Sequence, residues 1–420
     1  MDYYNYLQNE LLTAFGCTEP IAIAYASALC SKTLGEEPVK IHANLSANII
    51  KNANSVKVPS TEGRKGIDIS VVAGAFLGDS TKKLQVLENI DKTKLPEMDE
   101  KIGNNIVEVS LKKDVSNLYI EIFEEGVKNN SRVIIKDDHT NVILIEKNGK
   151  VIEKSNPKEE ESDDIDFSVE KIYEFANNCD LNKINEVLDS QIKFNMEIAR
   201  DGIYNNYGSN IGKLILNNSN NYNDKLVAYA AAGSDARMSG SEKPVVINSG
   251  SGNQGITVSV PIIIYARDND YSEEKLKRAL VFGNLLGLYM KSKIGKLSAY
   301  CGVVSASAAS ICGISYLKGD KLELIEDTLV NTLAVNSGLI CDGAKPSCAS
   351  KIASSLRNAF LGYEQAKTEN SFEAGDGIVK KDVEESLEVI GNLARYGMKK
   401  TDEVILNEMI ENREYLDEFK

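Results

Sequence analysis

The sequence predicts an α+β protein: a mostly helical body with a small inserted α+β domain that carries an antiparallel sheet. Three observations predict it. Nearly everything after residue 166 has apolar residues at helical spacing. Between 106 and 154 the chain turns β-branched and alternating, in segments separated by charged turns. The run "CGVVSASAASICGISYL" (301–317) carries no charge and is rich in Ala, Ser and Gly, as a closely packed buried helix would be. With 420 residues, 42% hydrophobic and 26% charged, the chain is long enough for two domains and reads as an ordinary globular protein. The division expected is a catalytic body of 1–52 and 166–420, with 53–165 inserted.

In order, residues 4–15 have helical spacing, and "GCTEP" interrupts them. From Pro20 a second helix follows, with the proline in the first turn, where its missing N–H costs nothing. "VKIHANLSANI" alternates like a strand, and 68–77 and 81–91 read as short helices. "IVEVSLK", "LYIEIFEE", "RVIIKD" and "VILIEKNGKVIEK" read as strands, the last pair joined by an Asn-Gly hairpin. "SNPKEEESDDID" reads as a solvated acidic linker. Helical patterns then cover 226–232, 276–291, 297–317, 321–337, 347–361 and 382–396.

The formal net charge of −14 argues against nucleic acid as a partner, because an acidic surface repels phosphate. No basic segment followed by an apolar one opens the chain. The 301–317 run is too poor in Leu, Ile and Phe to partition well into lipid. The expectation is a cytoplasmic protein with no membrane contact, in a compartment that keeps cysteines reduced.

Seven cysteines and only two histidines make a Cys/His zinc finger hard to build. In "CDGAKPSCASK", Cys341 and Cys348 would lie about 10 Å apart on a continuous helix. Gly343 and Pro346 argue for a turn that brings the thiols together instead, with a helix starting near Ser347. Cys301 is a plausible third ligand of the same metal cluster. Cys312, about 16 Å further along its helix, is not. Three thiolates without a fourth leave one coordination position open, which suits Lewis-acid chemistry. Spacing alone favours the plainer reading, buried free thiols, which pack well beside Ala and Ser.

Other motifs also carry two readings. Cys17, just before a helix, is either a thiol whose pKa the helix dipole lowers or an inert buried neighbour of a Thr18 cap. "NSGSGNQGI" is either an anion-binding nest formed by Ser249, Gly250, Ser251, Gly252, Asn253 and Gln254, or a flexible turn. Asn48, Lys51 and Asn52 gather in "SANIIKNANSVKVP", which could be a solvated helix end. His139 in "HTN" sits in a hairpin and could be surface. No GxxxxGK[ST] is present, so a P-loop is excluded.

Together, "GCTEPIAIA", "KNANSVKVP", "HTN", "GSDARMSG", "NSGSGNQGI", "LSAYCG" and "GLICDGAKPSCASK" resemble the L-cysteine desulfidase family, which is related to the iron–sulfur-dependent serine dehydratase alpha subunit. The resemblance runs along most of the chain, and segment 80–165 departs from it most. It implies a cytosolic lyase with a [4Fe-4S] cluster held by three cysteines, one iron being open. Such an enzyme converts L-cysteine to sulfide, ammonia and pyruvate without pyridoxal phosphate. The matching ligands are Cys301, Cys341 and Cys348. Cys17 matches a cysteine expected near the substrate; Cys30, Cys179 and Cys312 are expected in the core. On this reading the base that removes the Cα proton is Cys17 as thiolate, with Lys51 and His139 as alternatives. The Gly-rich nest, with Asn48, Lys51 and Asn52, would hold the substrate carboxylate. The rivals are an L-serine dehydratase-like ammonia-lyase, a sulfide or cluster carrier without turnover, and a metal-free helical protein. A homodimer is a further expectation.

Overall fold

A computed structural model describes residues 2–155, 166–295 and 297–411. From the N-terminus, α1 (Tyr3–Glu10) leads to β1 (Thr13–Phe15), α2 (Thr18–Leu34), β2 (Lys40–Leu45), α3 (Ala47–Ala53) and α4 (Ile67–Leu77). Next come α5 (Leu95–Gly103), β3 (Val107–Leu111), β4 (Tyr119–Glu125), β5 (Asn130–Lys136), β6 (Val142–Lys147) and β7 (Lys150–Lys154). The remainder comprises α6 (Val169–Asn178), α7 (Asn185–Tyr204), α8 (Ile211–Asn218), α9 (Tyr222–Met238), β8 (Pro244–Val246), α10 (Gly252–Asp268) and α11 (Glu273–Ile294). It ends with α12 (Gly302–Lys318), α13 (Leu322–Asn336), α14 (Cys348–Lys367), α15 (Val383–Asn392) and α16 (Lys399–Glu411). The fold is α+β and mostly helical, as the sequence predicts.

The main sheet has the order β3-β2-β4-β5-β6-β7. It is mixed rather than purely antiparallel, because β2 pairs parallel with β3 and antiparallel with β4. β2 comes from before residue 53, and its alternation buries Ile41, Ala43 and Leu45. Ile120, Ile122 and Val133 of the neighbouring strands join the same core, against Ile21, Ile23 and Ala26 of α2. Partner choice between strands is a long-range matter that alternation does not encode.

Three local expectations change. Residues 4–15 divide into α1 and β1, because Thr13–Phe15 pairs antiparallel with Pro244–Val246. The segment 81–91 is a 3-10 turn over Ser80–Gln85, broken at Lys83, whose φ is 49°. The helix expected from 297 begins at Gly302; Cys301 just before it is extended, and Tyr300 bridges Ile340. The acidic stretch "SNPKEEESDDID" falls almost wholly at 156–165, outside the described residues.

Helix α12 shows why the 301–317 run is small. Its Ser310 hydroxyl donates to the Val258 carbonyl of α10 at 3.0 Å. A Cβ on Gly313 would stand 2.5 Å from Ile262 Cδ1. Small side chains let α10 and α12 approach to backbone-limited distance, with Val304, Ala308 and Ile311 fully buried between neighbours. Among the described residues no helix is long and apolar enough to cross a membrane.

Candidate active site

Several helices begin at one place. Cys17 is the N-cap of α2, Ser251 of α10 and Cys301 of α12, and Cys348 is the first residue of α14. A short antiparallel bridge brings the first two late cysteines together. The Cys301 N–H donates to Leu339 O at 3.0 Å, and the Cys341 N–H donates to Ala299 O at 2.6 Å. The Cys301 thiol then hydrogen-bonds Cys341. That bond, helped by the charges of Lys51 and Lys351, holds Cys341 below the usual thiol range against the effect of burial. The same bond and burial push Cys301 up.

The turn expected between Cys341 and Cys348 is present. Gly343 adopts φ 91°, and a Cβ there would meet Lys51 O and Asn52 Oδ1 at 2.8 Å. Lys345 ties the turn to α3 by donating to Lys51 O at 3.2 Å and Ser55 Oγ at 2.7 Å. The Cys348 thiol accepts from the Lys345 N–H at 3.5 Å. Burial raises its pKa.

No described cysteine is in a disulfide. The three thiols come from separate segments, stand beside the positive ends of α12 and α14, and have Lys51 and Lys351 nearby. Soft donors in such a field suit iron. Among the described residues no three ligating side chains close on a single metal ion. Ligands spread over the corners of a multi-iron cluster need not meet at a point, so the donor set fits a cluster. Cys312 is buried 11 residues along α12, its thiol on Ile325 O at 3.5 Å. Cys30 and Cys179 lie in the core, bonded to Ser131 and to Ala176 O.

Beside the thiols lies a hub that motif reading missed, Glu19. Its Oε2 accepts from the Cys17 thiol at 3.0 Å and from the Thr18 hydroxyl at 3.1 Å, and its Oε1 from Asn52 Nδ2 at 3.1 Å. His139 Nε2 stands 4.0 Å from Oε1. Burial alone would raise the Glu19 carboxyl, but the His139 imidazole and the Cys17 thiol more than offset it and hold it down to about 2. Cys17 goes the other way from the sequence expectation. Burial and the adjacent Glu19 push its thiol well up, outweighing the pull of Arg237, so it is a thiol and not a thiolate. It packs with Val56, Met238 and Cys348 in a small cluster of its own, next to the third late cysteine.

His139 is only 3% exposed, although it sits at the tip of the β5–β6 hairpin. The hairpin inserts it against Gly250, where a Cβ would meet its Cε1 at 3.1 Å. The Thr18 hydroxyl donates to the Gly250 carbonyl at 2.9 Å, so the Gly-rich turn touches the Glu19 hub. In that turn Ser249 and Gly250 have φ of 50° and 74°. Ser251 Oγ caps α10 by accepting from the Gln254 N–H at 3.4 Å. At the other side, a Cβ on Gly302 would lie 2.6 Å from Gln254 Cδ, which sets the start of α10 directly against the start of α12 and Cys301.

Asn48, Lys51 and Asn52 are buried and adjacent to this site, but they are engaged. Lys51 Nζ pairs with Asp402 Oδ1 of α16 at 2.6 Å, and Asn48 Nδ2 donates to Asp402 Oδ2 at 3.1 Å. A partner so far along the chain leaves no local signal. Four buried polar atoms around the site have no hydrogen bond: Asn48 Oδ1, His139 Nε2, Arg237 Nε and Asn253 Oδ1. Such clustering of unsatisfied atoms marks a place built for something else. A separate cleft of about 450 Å³, lined among others by Ser31, Lys32, Glu36 and Asp79, opens at the far end of α2, away from these groups.

Comparison with known proteins agrees with the span of these features. The family model for the serine dehydratase alpha chain matches residues 81–407, a range that includes the segment expected to depart most from the family pattern. A UPF0597 protein of Finegoldia magna is 45% identical, covering 98% of this chain and 99% of its own length. UPF0597 proteins of Desulfitobacterium hafniense and Lachnoclostridium phytofermentans are 44% and 42% identical over 97% and 96% of this chain, and over 96% and 98% of their own. These relatives also span the N-terminal segment that carries Cys17, Glu19 and Lys51. With a match over more than half its length and relatives this similar along nearly all of it, the chain belongs to the serine dehydratase alpha chain family.

Proposed function

We propose that the protein is an iron–sulfur-dependent L-cysteine desulfidase, which eliminates sulfide from L-cysteine without pyridoxal phosphate. The products are hydrogen sulfide, ammonia and pyruvate, one water being consumed. Family membership supports lyase-type chemistry. The observation that carries the finer reading is the junction of three free thiols, two buried and one half-buried, with a proton-handling group, Cys17–Glu19–His139, whose own thiol is committed to a carboxylate.

A cluster on Cys301, Cys341 and Cys348 supplies, when bound, an iron with an open position that acts as Lewis acid toward the substrate sulfur. The proton chemistry belongs to the chain. His139 takes the Cα proton at Nε2, its unpartnered nitrogen. Glu19 Oε1, 4.0 Å from that same nitrogen, stabilises the imidazolium that forms through its negative charge. Cys17, held protonated, gives its proton to the departing sulfur, which leaves as hydrosulfide. The aminoacrylate tautomerises to the imine and hydrolyses in water. The burial of Glu19, His139 and Cys17 excludes bulk water from the proton transfers.

A second reading, L-serine dehydration at the same site, is favoured by the family description itself. Anaerobic purification, reconstitution with iron and sulfide, and assay of both amino acids separate the two. Pyruvate with stoichiometric sulfide from L-cysteine, at kcat/KM above that for L-serine, is the expected result. Faster pyruvate formation from L-serine overturns the substrate assignment. Absence of pyruvate from both, with a cluster bound, sinks the enzyme reading and leaves a carrier.

A further inference from the structure

Arg237, in the last turn of α9, is 2% exposed. Its Nε has no hydrogen-bond partner, and among the described residues no carboxylate pairs with it. The contrast with other arginines is sharp. Arg64, Arg132, Arg278 and Arg357 are all more exposed, and each faces a carboxylate: Asp99, Glu146, Glu274 and Asp224. Asp235, two residues away on the same helix, turns to the Gly212 N–H at 3.3 Å instead. A buried guanidinium without a counter-charge is a cost to folding that an incoming anion offsets.

Its position says which anion. A Cβ on Gly252 would stand 2.3 Å from Arg237 Nε and 2.8 Å from Cζ, so only glycine lets the guanidinium lie against the first residue of α10. There the N–H groups of Gly252 and Asn253 lack intrahelical acceptors, and the helix presents its positive end. Ser251 Oγ satisfies the Gln254 N–H only. Arg237 is also near enough to Cys17 for its charge to act on that thiol, which places it in the same site. The alternative cations and amides are taken: Lys51 and Asn48 by Asp402, Asn52 by Glu19.

We propose that Arg237, with the first N–H groups of α10, is the receptor for the substrate's α-carboxylate. The inference deepens the eliminating-lyase reading and rests on it for the substrate class, a small α-amino acid with a free carboxylate. A planar carboxylate can accept two parallel N–H bonds from a guanidinium, which fixes the orientation of Cα as well as affinity. Arg237 is therefore a binding and positioning residue.

The test uses anaerobically reconstituted protein and two probes that have no leaving group, L-alanine and L-alaninamide, measured by calorimetry. Wild type should bind L-alanine at least about tenfold more tightly than the uncharged amide, the weight of one charge-assisted contact. Arg237→Gln should abolish that preference, and Arg237→Lys should restore part of it. Ligand-free Arg237→Met should melt no lower than wild type, since it removes a buried charge that nothing pairs. The proposal is overturned by wild type showing no preference, by Arg237→Gln keeping it, or by Arg237→Met melting well below wild type, which would reveal a structural partner. Because the probes do not turn over, the reaction is judged separately. An Arg237-dependent preference in a protein that does not eliminate from L-cysteine or L-serine sinks the reaction and keeps the receptor. Turnover with an Arg237-independent preference does the reverse.

Discussion

Replacing Glu19 by Gln tests the centre of the proton-handling group. The side chain keeps its shape and loses its charge. A carboxyl held at about 2 in the fold, against an ordinary 4.5, is a stability contribution. At ~1.36 kcal/mol per unit, the shift is worth about 3 kcal/mol at neutral pH. The sign follows from the depression. The contribution is complete above pH 4.5 and is lost as the pH falls toward 2, so less than half remains at roughly pH 3. Glutamine adds a local conflict, because Cys17, Thr18 and Asn52 all donate to this group and an amide nitrogen would face one of them. Urea unfolding followed by far-UV circular dichroism at pH 7 and pH 3 is the assay. Glu19→Gln should lose about 3 kcal/mol or more at pH 7 and clearly less at pH 3. An equal loss at both pH values, or a loss under about 1 kcal/mol at pH 7, would refute the linkage argument.

Four further outcomes are expected. Cys301→Ala, Cys341→Ala and Cys348→Ala should each lose the visible absorption of the reconstituted cluster, whereas Cys312→Ala should keep it; spectra after anaerobic reconstitution decide this. Cys17→Ser should keep the absorption and lose most turnover, and near-normal sulfide release would remove Cys17 from the proton path. Glu124, buried on β4 beneath the Ser27 and Ser31 hydroxyls, is pushed up to about 7 by burial, so its cost to stability appears as the pH rises from 4.5 through 7; Glu124→Gln should therefore stabilise the protein by about 3 kcal/mol at pH 8 and little at pH 4.5, read by urea unfolding. Asp402→Asn leaves Lys51 buried without its counter-charge, a loss that breaking a buried pair puts at about 3–5 kcal/mol, limited here by undocking of α16; amide exchange across 399–409 should accelerate, and unchanged protection would show that the pair does not hold that helix.

The parts of this structure that were legible in the sequence are those with local causes. Helical periodicity gave α9 and α11 to α15 their places, and the Ala/Ser/Gly composition of α12 announced close packing. The turn between Cys341 and Cys348 followed from Gly343 and Pro346. What local signals could not supply was pairing across long separations. Strand β1 is three residues long and exists because β8 lies beside it. His139 has the neighbours of a surface hairpin, and only the docking of that hairpin against Gly250 buries it. Lys51 reads as a free cation until Asp402 is placed. Arg237 lies in "GSDARMSG", where nothing distinguishes a solvated arginine from a buried one. Cys17 has two local readings, and desolvation with the neighbouring carboxylate decides between them by outweighing the helix dipole at the N-cap.

The same electrostatics explains how an acidic chain can hold anions. With a net charge of −14, the protein as a whole repels both an amino-acid carboxylate and a set of thiolates. Repulsion from distant surface charges fades over ~8 Å at physiological salt, whereas buried charges and dipoles are screened much less. The site uses that difference. The starts of α2, α10, α12 and α14 point into it, and Lys51, Lys351 and Arg237 stand around it, so the local field is set by groups within a few residues of the thiols. The field does not ionise every thiol in advance. Cys301 and Cys348 have raised pKa values, and only Cys341 is lowered. On the proposed iron–sulfur reading, deprotonation would be coupled to metal binding, because a thiol gives up its proton when it coordinates. On the proposed reading, ligand-free protein avoids gathering three adjacent negative charges, and the positive surroundings would be fully used only when thiolates, cluster and substrate carboxylate are present together.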